Sequence, residues 1–249
     1  MTTKKYYVLK WIAILSMLTD HIAIVLSEGI SNDNYIIMRT IGRLAFPLFC
    51  YMTAESFYFT TSPKRHLLRL LLLAIISEIP YDYIICGTWS DFSSQNVIFT
   101  LALGFFSLFI TKDKINNTIC KGKNVKRKSF LVAMLWFDLT GTMMVLSIVC
   151  HFSYIWEGIM LIVIFGKTRE RKRKLLWRTI ALVLFIAAEK NPFTLVCVLV
   201  LGLMHWAEKE TDETKIPDLT GTASKQICRW FYPAHLAVLS VVKLWMTRG

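Results

Sequence analysis

The sequence is poor in charged residues. Only 18% of its 249 residues are Asp, Glu, Lys or Arg, whereas soluble domains average about a quarter, and 55% are hydrophobic. Apolar stretches of about 15–20 residues recur along the whole chain, which is the length that a transmembrane helix requires. The composition therefore predicts an all-α, polytopic transmembrane helix bundle that forms one integral membrane domain over residues 1–249.

Several motifs of well-known enzyme classes are also missing. The six cysteines form no Cys-x-x-Cys pair, so we expect neither a disulfide framework nor a bound metal. The sequence has no glycine-rich phosphate loop, no HExxH and no GxSxG, which leaves metalloproteases and serine hydrolases without support. No small-residue cleavage site follows the first apolar stretch, so that stretch is predicted to be a retained span rather than a signal peptide.

The apolar stretches predict about nine membrane-spanning helices. Asp138 interrupts the fifth and the sixth is short, so these two are either a re-entrant pair or one broken helix. Residues 207–229 are acidic and polar and contain Pro217 and Gly221, which predicts a mobile cytoplasmic loop. The predicted spans are residues 8–26, 36–59, 67–85, 96–110, 130–146, 151–165, 175–188, 193–206 and 230–245.

The net charge of +12 is concentrated in alternate loops. Lysines and arginines cluster at the N-terminus, after the second span, and in residues 112–128 and 167–178, whereas residues 27–35 and 86–95 contain none. This is the positive-inside pattern of membrane proteins, and it argues against nucleic acid as a partner. It predicts a cytoplasmic N-terminus and, with nine spans, a C-terminus outside.

Asp20 and His21 lie inside the first predicted span, where a purely anchoring helix would carry neither. Ionisable groups at membrane depth cost several kcal/mol and normally face a protein interior or a water-filled cavity. An imidazole beside a carboxylate is a simple general-base arrangement at neutral pH. Because neighbours on a helix do not face each other, the acid that orients His21 is either Asp20 or a carboxylate from another helix, Glu78 or Asp82.

Three further spans place polar groups at the same predicted depth, in the outer half of the bilayer. Each pair on the second and third spans is spaced i and i+4 and therefore lines one side of its helix. The two arginines of the second span either balance the two carboxylates of the third span in ion pairs or bind an anionic group of a substrate. The amides either cap the fourth helix or contact substrate. These groups are Arg39 and Arg43, Glu78 and Asp82, and Gln95 and Asn96, and Glu55 is a further candidate near the cytoplasmic end of the second span.

These polar residues occur in motifs that resemble the TraX family, integral membrane proteins named for the pilin acetylase of conjugative plasmids. The order of the motifs matches over the first hundred residues, and weaker matches follow, with Ser153 where the family usually has an acidic residue. The matching stretches are residues 9–14, 17–22, 39–47, 69–82 and 95–100 with Gly104, then Ser153-Tyr154, Gly158 and residues 231–236.

The resemblance implies N-terminal acetylation of a membrane-presented peptide in the cytoplasmic membrane of a bacterium, with acetyl-CoA as the donor. It also implies catalysis by a histidine of the first helix, which is His21 here, and leaves open a surface polymer as the acceptor. His235, in the run Tyr232-Pro233-Ala234-His235, is expected near the cytoplasmic side, where it would contact the donor. The basic loops at residues 112–128 and 167–178 either attract the CoA phosphates or serve topology and anionic lipid.

Two other functions remain open. A proton-coupled transporter would use Asp20, His21, Glu78 and Asp82 as a proton relay. A non-enzymatic membrane assembly protein would need none of them for chemistry. For an acyltransferase, the distance from a cytoplasmic donor to His21 is long, because His21 lies about 20 Å from the cytoplasmic end of its span at 1.5 Å per residue. A long pantetheine arm or a cytoplasmic vestibule would have to cover that distance.

Overall fold

The computed structural model describes residues 3–91, 93–120, 141, 145, 154–169, 173–189, 192–209 and 221–248. Its regular elements are helices, and no β-strand occurs in these ranges. They are α1 (Thr3–Val25), α2 (Asn32–Gly42), α3 (Ala45–Phe59), α4 (Pro63–Cys86), α5 (Val97–Cys120), α6 (Ile155–Thr168), α7 (Lys174–Glu189), α8 (Val198–Glu208) and α9 (Thr222–Arg248), with a 3-10 helix at Pro192–Cys197 before α8. The all-α prediction is confirmed for the described residues.

The helices form one packed bundle. Helix α1 packs against α2, α3 and α9, helix α6 packs against α3, α5 and α7, and α4 lies between α5 and α9. The core is aromatic and aliphatic, and its largest fully buried side chains include Tyr51, Phe105, Phe165 and Phe185. Burial of these rings contributes large apolar surfaces to the contacts among α3, α5, α6 and α7.

The predicted second span, residues 36–59, is two helices rather than one. Pro47 explains the break, because a proline cannot donate a backbone hydrogen bond and its ring clashes with the carbonyl four residues earlier, here that of Arg43. Helix α2 accordingly ends at Gly42 and α3 begins at Ala45. The Arg43 carbonyl accepts a hydrogen bond from the Cys197 thiol instead, at 3.2 Å.

Two other predicted boundaries also move. The eighth span, residues 193–206, starts as the 3-10 helix and continues as α8. The last helix begins at Thr222 rather than at residue 230, so the end of the predicted 207–229 loop is helical. Apart from Gly141 and Val145, the fifth predicted span lies outside the described residues, as do residues 151–153 at the start of the sixth.

Nine spans are not confirmed. Within the described part of the chain, only α1 is both long and apolar enough to cross a membrane by length and composition. Helices α4 and α9 have the length, about 36 and 40 Å at 1.5 Å per residue, but their sequences are less apolar than that of α1. Both present apolar side chains on their outer faces, including Ile75 at 60% and Val241 at 65% exposure.

Candidate functional site

His21 lies about one turn before the end of α1 and lines a small cavity of about 110 Å³, which we call the His21 chamber. The side chain is buried, with 9% of its surface exposed. Helices α1, α2, α3, α4, α5 and α9 all contribute to the wall, together with the residue that precedes α6. The other lining residues are Met17, Gly42, Ala45, Phe46, Phe49, Tyr81, Ile85, Val97, Tyr154 and Tyr232.

The orienting partner of His21 is a second histidine, not an acid. His21 Nδ1 lies 2.7 Å from His235 Nε2, and His235 Nδ1 lies 2.8 Å from the backbone carbonyl of Phe231. A carbonyl only accepts hydrogen bonds, so a neutral His235 donates from Nδ1 and accepts at Nε2. His21 then donates from Nδ1, and its Nε2 keeps a lone pair. No described residue forms a hydrogen bond with that Nε2.

This arrangement corrects the predicted position of His235. The prediction began the last helix at residue 230, which would leave His235 about 8 Å from the cytoplasmic end. Because α9 begins at Thr222, His235 lies about 20 Å along the helix and reaches His21. His235 therefore lies behind His21, in contact with it, rather than at the end of the bundle.

Asp20 turns away from its neighbour and pairs with α2. Its Oδ2 accepts a hydrogen bond from Arg39 Nη1 at 2.6 Å. Gly42 lies directly against the Asp20 side chain, so that a Cβ at this position would overlap the carboxylate. The absence of a side chain at Gly42 therefore lets α2 approach α1 closely enough for the ion pair.

Arg43 joins the chamber to α6 and α7. Its Nη1 donates to the Tyr154 hydroxyl at 3.2 Å and lies 3.8 Å from Glu189 Oε2. Tyr154 has a positive φ of 53°, an unusual conformation for a residue with a side chain, and its ring stacks on Phe46 at 3.8 Å. The strained backbone thus directs this ring into the chamber wall. Ser153 lies outside the described residues.

The two carboxylates of α4 pair with the segment before α5. Glu78 Oε2 accepts from the backbone N–H of Asn96 at 3.2 Å and from its side-chain amide. Asp82 Oδ2 accepts from the backbone N–H of Asp91 at 2.9 Å. Asn96 Oδ1 also accepts from Ile98 N–H at 3.0 Å, which confirms that Asn96 caps the fifth helix, the fourth of the predicted spans. Gln95, half-buried, precedes it in this segment.

Of the two alternatives for the arginines, ion pairs with Glu78 and Asp82 do not form. Arg39 pairs with Asp20 and Arg43 with Tyr154 and Glu189, whereas Glu78 and Asp82 bind amide groups. The reason is the break between α2 and α3. Arg39 lies within α2 whereas Arg43 lies at the break, so each arginine faces a different neighbour. Glu55 lies apart from the chamber and is 3% exposed, with its Oε2 3.2 Å from Arg169 Nε.

The loop beyond α4 adds negative charge at this end of the bundle. Asp91 is half-buried, and the backbone N–H of Ser93 donates to its Oδ1 at 2.7 Å. This hydrogen bond lowers the pKa of the Asp91 carboxyl below its ordinary value. The carboxylates of Glu78, Asp82 and Asp91 therefore make this end acidic.

A larger cavity of about 320 Å³ opens at the opposite end, where α1, α4 and α9 begin. We call it the basic cavity, because four cationic side chains line it: Lys10, Arg69, Lys225 and Arg229. His66 and the tyrosines Tyr6 and Tyr7 line the same end, and the remainder is mainly apolar, with Thr53 and Ser56 as polar exceptions. Its inner wall and the wall of the His21 chamber share four residues, which are Met17, Phe49, Val97 and Tyr232.

Sequence reasoning missed several residues around His21. The hydroxyl of Tyr232 is buried in the chamber wall, and its hydrogen has no acceptor among the described residues. Tyr154 and Glu189 were not predicted to meet Arg43, and Tyr81 was not singled out. The run containing Tyr232 and His235 was recognised as a motif, and a helix start placed at Thr222 would have brought it to the depth of His21.

Comparisons with known proteins match this chain over different lengths. A probable fimbrial assembly protein, FimC of serogroup H1, from Dichelobacter nodosus is 26% identical over 257 residues, covering 96% of this chain and 95% of that protein. An uncharacterised protein of Rickettsia prowazekii (strain Madrid E) is 29% identical over 114 residues, covering 46% of this chain and 40% of that protein. No solved structure matches significantly. The family model described as TraX protein matches residues 6–243, and the chain therefore belongs to the TraX family.

Proposed function

We propose that this protein is a membrane-embedded acyltransferase that moves an acetyl or similar acyl group from acyl-CoA to an extracytoplasmic acceptor, with His21 as the general base. The observation that carries this proposal is the His21–His235–Phe231 hydrogen-bond chain, which leaves a lone pair on Nε2 of His21, a buried residue that lines the His21 chamber. A neutral imidazole in a fixed tautomer is suited to accept a proton from an attacking amine or hydroxyl.

The family supports both the location and the class of acceptor. TraX proteins are membrane-associated and are linked with pilin acetylation. The Dichelobacter nodosus relative is named as a probable fimbrial assembly protein, which supports a pilus-related role. The apolar outer faces of α4 and α9 are also consistent with contact to lipid. We therefore favour the N-terminal amine of a pilin-type peptide as the acceptor.

The residues of the chamber supply the steps of the reaction. The acceptor nitrogen attacks the thioester carbonyl carbon while His21 Nε2 removes its proton, and the C–S bond breaks as the tetrahedral intermediate collapses. The CoA thiolate leaves and takes that proton as a thiol. The Tyr232 hydroxyl, whose hydrogen has no acceptor among the described residues, is positioned to donate to the oxyanion.

The polar groups around the chamber hold its shape and charge. The Asp20–Arg39 pair fixes α2 against α1, and the Arg43–Tyr154 hydrogen bond fixes α6. Buried charges usually survive in membranes through pairs of this kind. Arg43 Nε is buried and has no hydrogen-bond partner among the described residues, and in this proposal it binds an anionic group of the acceptor. Glu78, Asp82, Gln95 and Asn96 shape the acidic end, where a cationic amine would approach.

The test is the consumption of labelled acetyl-CoA by purified protein, with release of the CoA thiol and label in a peptide or sugar acceptor as the readouts. General-base catalysis contributes about 10²–10⁴-fold, so His21→Ala should lower the turnover by that factor. The matched control is His205→Ala, because His205 is exposed on α8 and should leave turnover unchanged. A wild-type protein that consumes no acyl-CoA would favour the transporter or the non-enzymatic assembly role. Equal rates for His21→Ala and wild type would exclude His21 as the base.

A further inference from the structure

The basic cavity brings together four cations from three helices. Lys10 comes from α1, Arg69 from α4, and Lys225 and Arg229 from α9. None of the described residues that line this cavity is acidic, and none of these four side chains lies within ion-pair distance of a described carboxylate. Like charges that converge on one space repel each other, so the cluster gains most from an anion with several charges.

The chemistry of the cavity changes along its length. At the opening, Lys225 and Arg229 are exposed, and the Tyr6 and Tyr7 rings meet edge to face at 5.7 Å. Deeper in, the wall is formed by apolar side chains such as Ile14, Leu73 and Ile98. A cavity of this kind fits an amphipathic ligand with a polyanionic head at the opening and a slender tail inside.

The cavity also runs toward His21. It follows α1 from Tyr6 to Met17, a distance of about 16 Å at 1.5 Å per residue. Met17 and Tyr232 then belong to both the basic cavity and the His21 chamber. A ligand tail that passes these two side chains would arrive beside the His21 imidazole. The basic cavity could therefore serve as the vestibule that a donor needs to reach His21.

We propose that the basic cavity is the donor site, in which Lys10, Arg69, Lys225 and Arg229 bind the phosphates of acyl-CoA and the pantetheine arm extends past Met17 to His21. The identity of the ligand rests on the proposed function, whereas its phosphate chemistry rests on the cavity alone. Guanidinium groups pair with phosphate oxygens through two parallel hydrogen bonds, which makes the two arginines the main contacts. The phosphate of an anionic lipid has the same chemistry and is the alternative source.

The experiment measures equilibrium binding of CoA to the full-length protein in phosphatidylcholine nanodiscs. The double variant Arg69→Gln, Arg229→Gln should weaken CoA binding at least tenfold, and Arg69→Lys, Arg229→Lys should restore part of it. Arg65→Gln is the matched control, since Arg65 is a neighbouring cation on α4 that does not line the cavity, and it should bind as the wild type does. Pantetheine, which lacks the nucleotide phosphates, should bind weakly and equally to all variants.

A second arm separates the two sources of phosphate. Phosphatidylglycerol is titrated into the nanodiscs, and thermal stabilisation is compared between the wild type and the double glutamine variant. If this lipid stabilises only the wild type while CoA binds both proteins equally, the site binds lipid and the proposal for acyl-CoA is overturned. Equal CoA affinity for the wild type and the double variant, without any lipid effect, would show that the cavity is no anion site.

The result is independent of catalysis. His21→Ala should bind CoA with unchanged affinity, because His21 is outside the basic cavity. Cavity-dependent CoA binding without acyl transfer would support the donor site while refuting the proposed function. Acyl transfer that is insensitive to both arginines at subsaturating CoA would support the function while refuting this site.

Discussion

At the scale of single residues, the chemistry depends on which nitrogen of His21 carries its proton. The acceptor for that proton, His235 Nε2, lies 214 residues away along the chain and is itself fixed by the Phe231 carbonyl. Neither histidine is charged in this arrangement, which suits a buried site where an unpaired imidazolium would be costly. His235 therefore acts as a positioning residue for His21.

Substitution of His235 should separate positioning from structure. His235→Leu removes the acceptor and should lower kcat by about tenfold or more, up to the 10²–10⁴-fold that a general base contributes, while the KM for acyl-CoA stays unchanged. His235→Gln places an amide oxygen near the position of Nε2, so it should recover most of the kcat. Steady-state kinetics of both variants, with His205→Leu as the control, measure this. Equal losses in the glutamine and leucine variants, or a change confined to KM, would contradict the positioning role.

The site residues on the first two helices could be predicted from the sequence, because the signal that marks them is local. Asp20, His21, Arg39 and Arg43 stand out because ionisable groups are rare within apolar stretches, and α1 and α2 are adjacent in the chain. The contacts of Arg43 with Tyr154 and Glu189 join residues far apart in sequence. No periodicity in α2 specifies which distant helix will face it, so these partners needed the structure.

At the scale of helices, close approach is achieved by glycine. Gly104 on α5 lies against Ile162 of α6, and Gly166 on α6 lies against Leu108 of α5. Gly158 on α6 faces Thr100 and Phe46. Small residues at helix interfaces let backbones approach closely in membrane proteins, where packing rather than water exclusion drives association. The glycines thus set the distance between α6 and its neighbours.

Gly158→Ala should destabilise the bundle. The added Cβ would lie 2.6 Å from Phe46 Cζ, so the Phe46 ring, and with it the stacked Tyr154, must shift. Overpacking of this kind costs about 1–3 kcal/mol. Gly202→Ala is the matched control, since nothing lies within 4 Å of a Cβ there and alanine favours the helix. Thermal unfolding in detergent should give a lower Tm for Gly158→Ala only, and an unchanged Tm would show that α6 adjusts without strain.

Helix positions followed from apolar runs, whereas helix ends did not. The run over residues 36–59 is continuous in hydropathy, yet Pro47 divides it because the backbone geometry of proline overrides composition. The start of α9 at Thr222 was missed because its first turns are polar and read as a loop. Hydropathy identifies segments that are buried in lipid or in a protein core. It does not detect the polar turns of a helix that extend beyond the lipid or the core.

At the scale of the whole molecule, charge is distributed unevenly between the two ends. The cations of the basic cavity lie where α1, α4 and α9 begin, and Glu78, Asp82 and Asp91 lie toward the other end of α4. Lys243 belongs to that second end, where its ammonium donates to the Ile84 carbonyl at 2.7 Å and satisfies the C-terminal end of α4. A lysine near the predicted outer side thus has a local partner.

The positions of the ends make the predicted orientation testable. Because α1 and α9 begin at the same end, a cytoplasmic N-terminus requires Thr222 to be cytoplasmic and Thr247 to be outside, on the side of the loop that contains Ser93. Single cysteines at these exposed positions, in a protein whose six native cysteines are replaced by serine, are labelled with a membrane-impermeant maleimide. Ser93→Cys and Thr247→Cys should react in intact cells, whereas Thr222→Cys should react only after permeabilisation, and the cysteine-free parent should not react.

Labelling of Thr222→Cys in intact cells would reverse the orientation and place the basic cavity on the side where no acyl-CoA is present. Identical labelling of Thr222→Cys and Thr247→Cys would instead show that α9 does not cross the membrane.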